Sequence, residues 1–343
     1  MFKLTKLVTL AIFIVLYALL SSYEATASKD VIKWRCQSFV GANDESSGLV
    51  IRNAINNIKK KTNGKLDIEI FGAGALMPNT QIYDAVKQGI VQMGVTSNVY
   101  TLSEFPLANL AYGTPMNFQK PWEIIYFYKQ LGFEDALKKG YDERGFRYFT
   151  GNIMPNQFAL KQPIRRLSDF KGKKLRATGL FQDVMTELGG AATYITGGEI
   201  YTALATGVID GAMWGGIPGA NSIKLFEICK SALDTNFGYG SWGFFINKSS
   251  YDKLPDEYKR AVDESFGEVL FTGATNYARL GAELTVSLSK KGIEVTSLPR
   301  EDELALYEIA SKIWDNKIAP KSPDCKEWVG VMKTFMNKLG YLK

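Results

Sequence analysis

The chain has 343 residues, 46% of them hydrophobic and 22% charged. These proportions exclude a disordered or fibrous protein and leave room for two domains of ordinary size or one large one. The formal net charge of +6 comes from 41 basic and 35 acidic residues mixed along the chain, so no basic tract marks a nucleic-acid groove. Histidine is absent, which removes His-dependent triads, His-ligated metals and the commonest general base near neutral pH; carboxylate, Lys or Tyr chemistry stays open to an enzyme.

Taken in chain order, Lys3 and Lys6 precede an apolar run from Leu7 to Leu20, and Ala25-Thr26-Ala27 follows as a small-x-small site. That order is the pattern of a secretory signal peptide over residues 1–27, with a mature protein beginning near Ser28. The run is short for a membrane span, which needs roughly 20 apolar residues; the competing reading is an uncleaved anchor. The expectation is a soluble, exported product.

Strand and helix signals then alternate. Val31 to Phe39 reads as a strand, Ser47 to Thr62 as a helix ending at Asn63-Gly64, and Leu66 to Phe71 as a second strand before a Gly-rich turn. The alternation runs to about residue 240 and predicts sheets covered by helices on both faces. Within it an internal repeat stands out: QIYDAVKQGIVQMG at residues 81–94 and EIYTALATGVIDGA at 199–212. Each copy reads as a short amphipathic helix stopped by a Gly, at Gly89 and Gly207, and feeding a strand. One such unit in each half predicts two similar lobes with a cleft between them, where ligand sites are commonly found.

From Asp256 to about Lys291 no Pro intervenes and apolar residues recur at helical spacing. Pro255 fits a first-turn position and Gly292 a C-terminal cap. A helix of that length would run on the order of 50 Å at ~1.5 Å per residue, enough to brace both lobes; Gly267, Gly273 and Gly281 are the places where it could bend or break. Cys36, Cys229 and Cys325 are far apart and odd in number, which argues against a disulfide scaffold or a zinc site; buried free thiols are preferred over one bridge of unknown pairing. Residues 238–243, GYGSWG, formally match G-x-G-x-x-G but are followed by an apolar, strand-like FFIN, so no dinucleotide site is implied.

LSDFKGKKLRATG at residues 167–179, followed by GGEIYTALATGVIDGAMW at 197–214, resembles paired segments of the periplasmic solute-binding subunits of TRAP transporters. GKLDIEIFGAGAL, DAVKQGIVQMGV and the long helix are similar to the same family, so the resemblance covers nearly the whole mature chain. It implies a two-lobed α/β periplasmic binding protein, type II-like, that closes on a ligand like a Venus flytrap, braced by the long helix. The expected organisation is residues 28–151 with about 238–270 as one lobe, 152–237 with about 271–325 as the other, and a C-terminal packing helix at 326–343. The resemblance also implies a carboxylate ligand and, as partners, a small organic acid and the transporter's membrane subunits. Neither nucleic acid nor a cofactor is implied, and no enzymatic activity.

The family's key arginine maps onto Arg176. A planar guanidinium offers two parallel N–H donors that match a carboxylate, and Lys cannot reproduce that fork; Leu175 and Ala177 beside it are apolar, so Arg176 lies on the opposite face of the strand. Trp214, followed by Gly215-Gly216, sits at the edge of the next strand, where it reads as a pocket wall or simply as a large core residue. This chain most resembles the branch that binds 2-oxo acids and related small acids. Where that branch often places a Glu and a Gln to hold a cation, this sequence has Met213 and Met154. Thioether sulfur is a poor ligand for hard cations, so no metal is expected, and a pliable apolar wall would admit a larger or greasier acid. Gln37, Tyr100, Gln157, Asn236, Tyr239 and Trp242 are further lining candidates, the last three as pocket wall or as hinge packing. Two other functions stay open: an exported sensor that presents its ligand to a receptor, and an exported enzyme on a two-lobed scaffold.

Overall fold

The computed structural model describes residues 31–342; the signal peptide expected at 1–27 lies outside them. The described chain forms two α/β lobes. The first lobe holds a five-stranded sheet of β1 (Ile32–Ser38), β2 (Leu66–Phe71), β3 (Met93–Ser97), β4 (Phe146–Pro155) and β10 (Tyr239–Asn247) in the order β2-β1-β3-β10-β4. The second holds β5 (Phe158–Leu160), β6 (Lys174–Arg176), β7 (Ala191–Thr193), β8 (Gly211–Met213), β9 (Ser231–Leu233) and β11 (Glu294–Thr296) in the order β11-β9-β5-β8-β6-β7. Three parallel strands begin each pattern, β2-β1-β3 and β7-β6-β8, and an antiparallel strand comes next, β10 or β5. The two lobes are therefore built alike, with β11 added at one edge of the second.

The repeat occupies the same place in both lobes. Helix Ile82–Lys87 precedes β3 and helix Ile200–Ala205 precedes β8. Gly89 (φ +73°) and Gly207 (φ +79°) adopt the left-handed conformation that ends each helix. The N–H of Ile90 returns to the carbonyl of Ala85, and that of Val208 to Ala203, each at 2.9 Å, so a helix of two turns has its last carbonyls satisfied before the chain enters the sheet. At Gly94 the chain comes so close to helix Ile82–Lys87 that a Cβ would stand 2.6 Å from Ile82 Cγ2. The missing side chain lets the helix lie flat on β3.

The chain crosses between lobes at Asn156-Gln157, returns through 234–238, and crosses again along its helical segment after Pro255. That segment is two helices rather than one, Asp256–Gly267 and Val269–Lys290, and the break falls at the first of the three glycines expected to weaken it. The first helix packs Phe266 against Phe149 and Phe244 of the first lobe. The second, about 33 Å long, begins in the first lobe's core with Val269 and ends in the second's with Leu288. The C-terminal helix Pro323–Lys338 returns to the first lobe: Trp328 packs edge-on to Phe127 and Phe133, and Phe335 stacks on Tyr126. Cys36, Cys229 and Cys325 are all buried and unbridged. GYGSWG leads into β10, with Gly238 (φ +113°) at the turn, so its glycines serve a strand. Among the described residues no helix is long and apolar enough to cross a membrane.

Candidate functional site

A cavity of about 380 Å³ opens between the lobes, at the C-terminal ends of β1, β3, β6 and β8. Ligands of open α/β sheets collect at this end, because the strands reverse direction in the sheet order there and the following loops splay apart. Arg176, the last residue of β6, is only 5% exposed. Its Nε donates to the carbonyl of Ile195 at 3.1 Å and its Nη1 to the carbonyl of Met213. Leu175 and Ala177 point into the core beneath it, as alternation along a strand requires. The guanidinium carbon lies 5.2 Å from the Trp214 ring and 5.9 Å from the Tyr194 ring. Two carbonyls and two aromatic rings thus fix the head group, and Nη2 makes no hydrogen bond to the described residues. Burial presses this guanidinium below the usual arginine range, while the nearby phenols of Tyr112, Tyr194 and Tyr100 act in the opposite direction.

Trp214 rests over Gly197, where a Cβ would stand 2.5 Å from its ring edge. The GG of the GGEIY motif is thereby explained: the first glycine makes room for the indole. Met154 and Met213 both line the cavity. The first lobe supplies Tyr100, whose segment is pinned from behind by a buried network. Asn98 Nδ2 donates to Ser241 Oγ at 3.3 Å, Tyr141 Oη donates to Asn98 Oδ1 at 2.9 Å, and Tyr128 Oη meets Ser241 Oγ at 3.0 Å. Across the cleft Tyr100 Oη lies 3.2 Å from Tyr194 Oη, and Tyr112 Oη hydrogen-bonds Thr178 Oγ1. Burial pushes the Tyr112 phenol up to about 12, so its hydroxyl acts as a neutral donor or acceptor at physiological pH.

Of the ten residues expected at the site, Arg176, Trp214, Met213, Met154 and Tyr100 meet on the cavity wall; the other five do not. Gln37 is buried, donating to the carbonyls of Ser38 and Gly72 and accepting from the N–H of Leu76, so it staples the loop after β2. Gln157 and Asn236 stitch the two crossings. Gln157 Nε2 donates to the carbonyl of Asp234 at 2.9 Å, and its Oε1 accepts from Ile217 N. Asn236 Oδ1 accepts from the N–H groups of Asn156 and Gly238. Tyr239 is buried, its main chain clasped at both ends by the Asn117 amide. Trp242 belongs to the first lobe's core, packed on Gly151, with its indole N–H on Ser47 Oγ at 3.2 Å.

The expectations missed Asp44, Tyr112, Asn156, Thr178, Tyr194 and Tyr277, all on the wall. Tyr194 was within reach: it directly follows β7 at the sheet end where ligands gather. Tyr277 comes from helix Val269–Lys290 and donates to the carbonyl of Gly215; sequence alone does not say which turn of a long helix meets the cleft.

A model of the family described as bacterial extracellular solute-binding protein, family 7, matches residues 41–321. The monocarboxylate 2-oxoacid-binding periplasmic protein of Nostoc sp. is 29% identical over 292 residues, covering 82% of this chain and 78% of that protein. The C4-dicarboxylate-binding periplasmic protein of Rhodobacter capsulatus is 24% identical over 327 residues, 90% of each. Among solved structures, a TRAP periplasmic solute-binding protein from Pseudoalteromonas atlantica with bound sodium and pyruvate superimposes with a TM-score of 0.81. It is 21% identical, and the match covers 90% of this chain and 95% of that one.

Proposed function

The chain belongs to the bacterial extracellular solute-binding protein family 7, and from that premise we propose that it captures a small organic acid in the periplasm and delivers it to the membrane subunits of a TRAP-type transporter. The observation that carries this reading is Arg176, a buried guanidinium with a free Nη2, fixed by two carbonyls and facing a cavity formed by both lobes. A charge-assisted hydrogen bond to an anchored guanidinium recognises a carboxylate wherever the rest of the ligand leads. The hydroxyl contacts Tyr100–Tyr194 and Tyr112–Thr178 join opposite lobes, which suits closure over a ligand.

We read the role as binding, because the cavity's one arginine is held by main-chain carbonyls and faces the space between the lobes. The residues proposed to contact ligand are Arg176, Trp214, Met213, Met154 and Tyr100, with Tyr194 added. The expected boundary at 151 shifts because β4 stays in the first lobe's sheet to Pro155, and the lobes are proposed to divide as residues up to 155 with about 238–270, and 156–237 with about 271–325. The relatives include a protein with bound sodium and pyruvate. Here, thioethers stand at 154 and 213, and we expect the acid to be held without a cation.

Calorimetric titration with matched acids and amides, such as pyruvate against pyruvamide and pyroglutamate against its carboxamide, tests the reading. At least one acid is expected to bind at least tenfold tighter than its amide, with no change on adding EDTA or on replacing sodium salts by choline salts. Equal affinities for acid and amide throughout would overturn it.

A further inference from the structure

Arg176 has one charged counterpart on the cavity wall. Asp44, in the loop between β1 and helix Ser47–Lys61, lines the same cavity from the first lobe, and no other Asp, Glu, Lys or Arg does so. Its Oδ1 is occupied, accepting from Ser46 N at 3.0 Å, Ser46 Oγ at 2.8 Å and Gly48 N at 2.9 Å. Oδ2 accepts no hydrogen bond from a described residue. The nearest arginine, Arg52, is spent on the carbonyls of Ala42 and Asp44 and makes no ion pair with the carboxylate. The helix N-terminus beneath Asp44 offsets about half an elementary charge. Asp44 is part of the cavity lining, and Oδ2 is its oxygen without a hydrogen bond from a described residue.

The two charges sit on one continuous wall. Asp44 neighbours Tyr277, whose phenol is held well above its usual range first by burial and then by that carboxylate. Tyr277 donates to Gly215, and Gly215 follows the Trp214 that flanks Arg176. A ligand whose carboxylate sits on Arg176 therefore extends toward a carboxylate of opposite preference. An alkyl tail would strip water from Oδ2 and return nothing. A second carboxylate would meet a like charge in a water-poor space. An ammonium would be paired and hydrogen-bonded.

We infer that the ligand of this protein is a monocarboxylate carrying an ammonium group away from the carboxylate, and that Asp44 is the residue that selects it and rejects dicarboxylates. This rests on the carboxylate-anchoring role of Arg176 given above.

The test is calorimetric titration of the exported chain with linear acids of three to seven carbons, in triplets of equal length: alkanoate, ω-aminoalkanoate and α,ω-dicarboxylate. At the best-fitting length the amino acid is expected to bind at least tenfold tighter than the alkanoate, with the dicarboxylate weakest. Asp44→Asn keeps the Oδ1 acceptor that caps the helix. It should cut the amino preference to under threefold and strengthen the dicarboxylate. Should that variant not fold, Asp44→Ser, also a good capping residue, makes the same comparison. If the amino-to-alkyl ratio is unchanged in the variant, or the dicarboxylate binds best to the original protein, Asp44 does not select and the inference falls while acid binding stands. If no acid of any class binds at millimolar concentration, the acid-binding reading falls and takes this one with it.

Discussion

The two walls of the cleft are made of different materials. On the second lobe, Arg176 is locked by the carbonyls of Ile195 and Met213 and faces the rings of Trp214 and Tyr194. On the first lobe, the wall mixes apolar side chains such as Phe39, Val40 and Met154 with neutral hydroxyls, Ser97, Tyr100 and Ser241 among them, and a loop carboxylate. The lobes share a strand pattern, and Arg176 at the end of β6 stands where Ser38 ends β1 in the first. Similar scaffolds thus carry dissimilar sites. On the proposed reading, the difference teaches that one wall holds and the other tests: the fixed charge of Arg176 would supply affinity for any acid, and the opposing surface would judge what the acid carries.

That comparison can be broken most directly at Arg176. Arg176→Lys is expected to weaken acid binding more than tenfold, a loss of about 1.5–3 kcal/mol, because an ammonium cannot serve two carbonyls and a carboxylate in the same geometry. The melting temperature of the unliganded protein should change little; unaltered affinity in calorimetry would remove the anchor from the argument. A smaller effect is expected from Trp214→Leu. Losing the ring beside a buried guanidinium costs about 1 kcal/mol, a several-fold weaker Kd, and an affinity equal to the original protein's would show that the indole only fills space. The smallest effect should come from the first lobe. Tyr100→Phe deletes one hydroxyl of a half-exposed pair 3.2 Å apart and should change Kd less than threefold, about 0.5 kcal/mol. A loss as large as that of Arg176→Lys would reverse the assignment of holding and testing walls.

The helix–Gly–strand repeat, the helical segment after Pro255 and the strand ending at Arg176 were all legible, because each depends on neighbours within about fifteen residues. The break at Gly267 was readable only as one of three options. The site was half legible. Gln157, Asn236 and Gln37 have the chemistry of ligand contacts, yet each spends its amide on backbone groups at a crossing or loop. Trp242 and Tyr239 lie beside Gly240 and Ser241, which do line the cavity, but their own side chains turn into the lobe. Nothing in the sequence singles out Asp44; in the fold one of its oxygens binds Ser46 and Gly48 at the start of helix Ser47–Lys61.

What the sequence by itself determined is the class of structure and the placing of the proposed anchor: hydrophobic periodicity sets helices and strands, and alternation along β6 puts Arg176 opposite two core residues. Only the tertiary structure decided which polar groups remain unspent. Hydrogen-bonding capacity belongs to a side chain in every context, but whether the protein's own backbone consumes it depends on distant chain segments, such as Asn117 and Tyr239, which are 122 residues apart. Only the folded lobes bring them together.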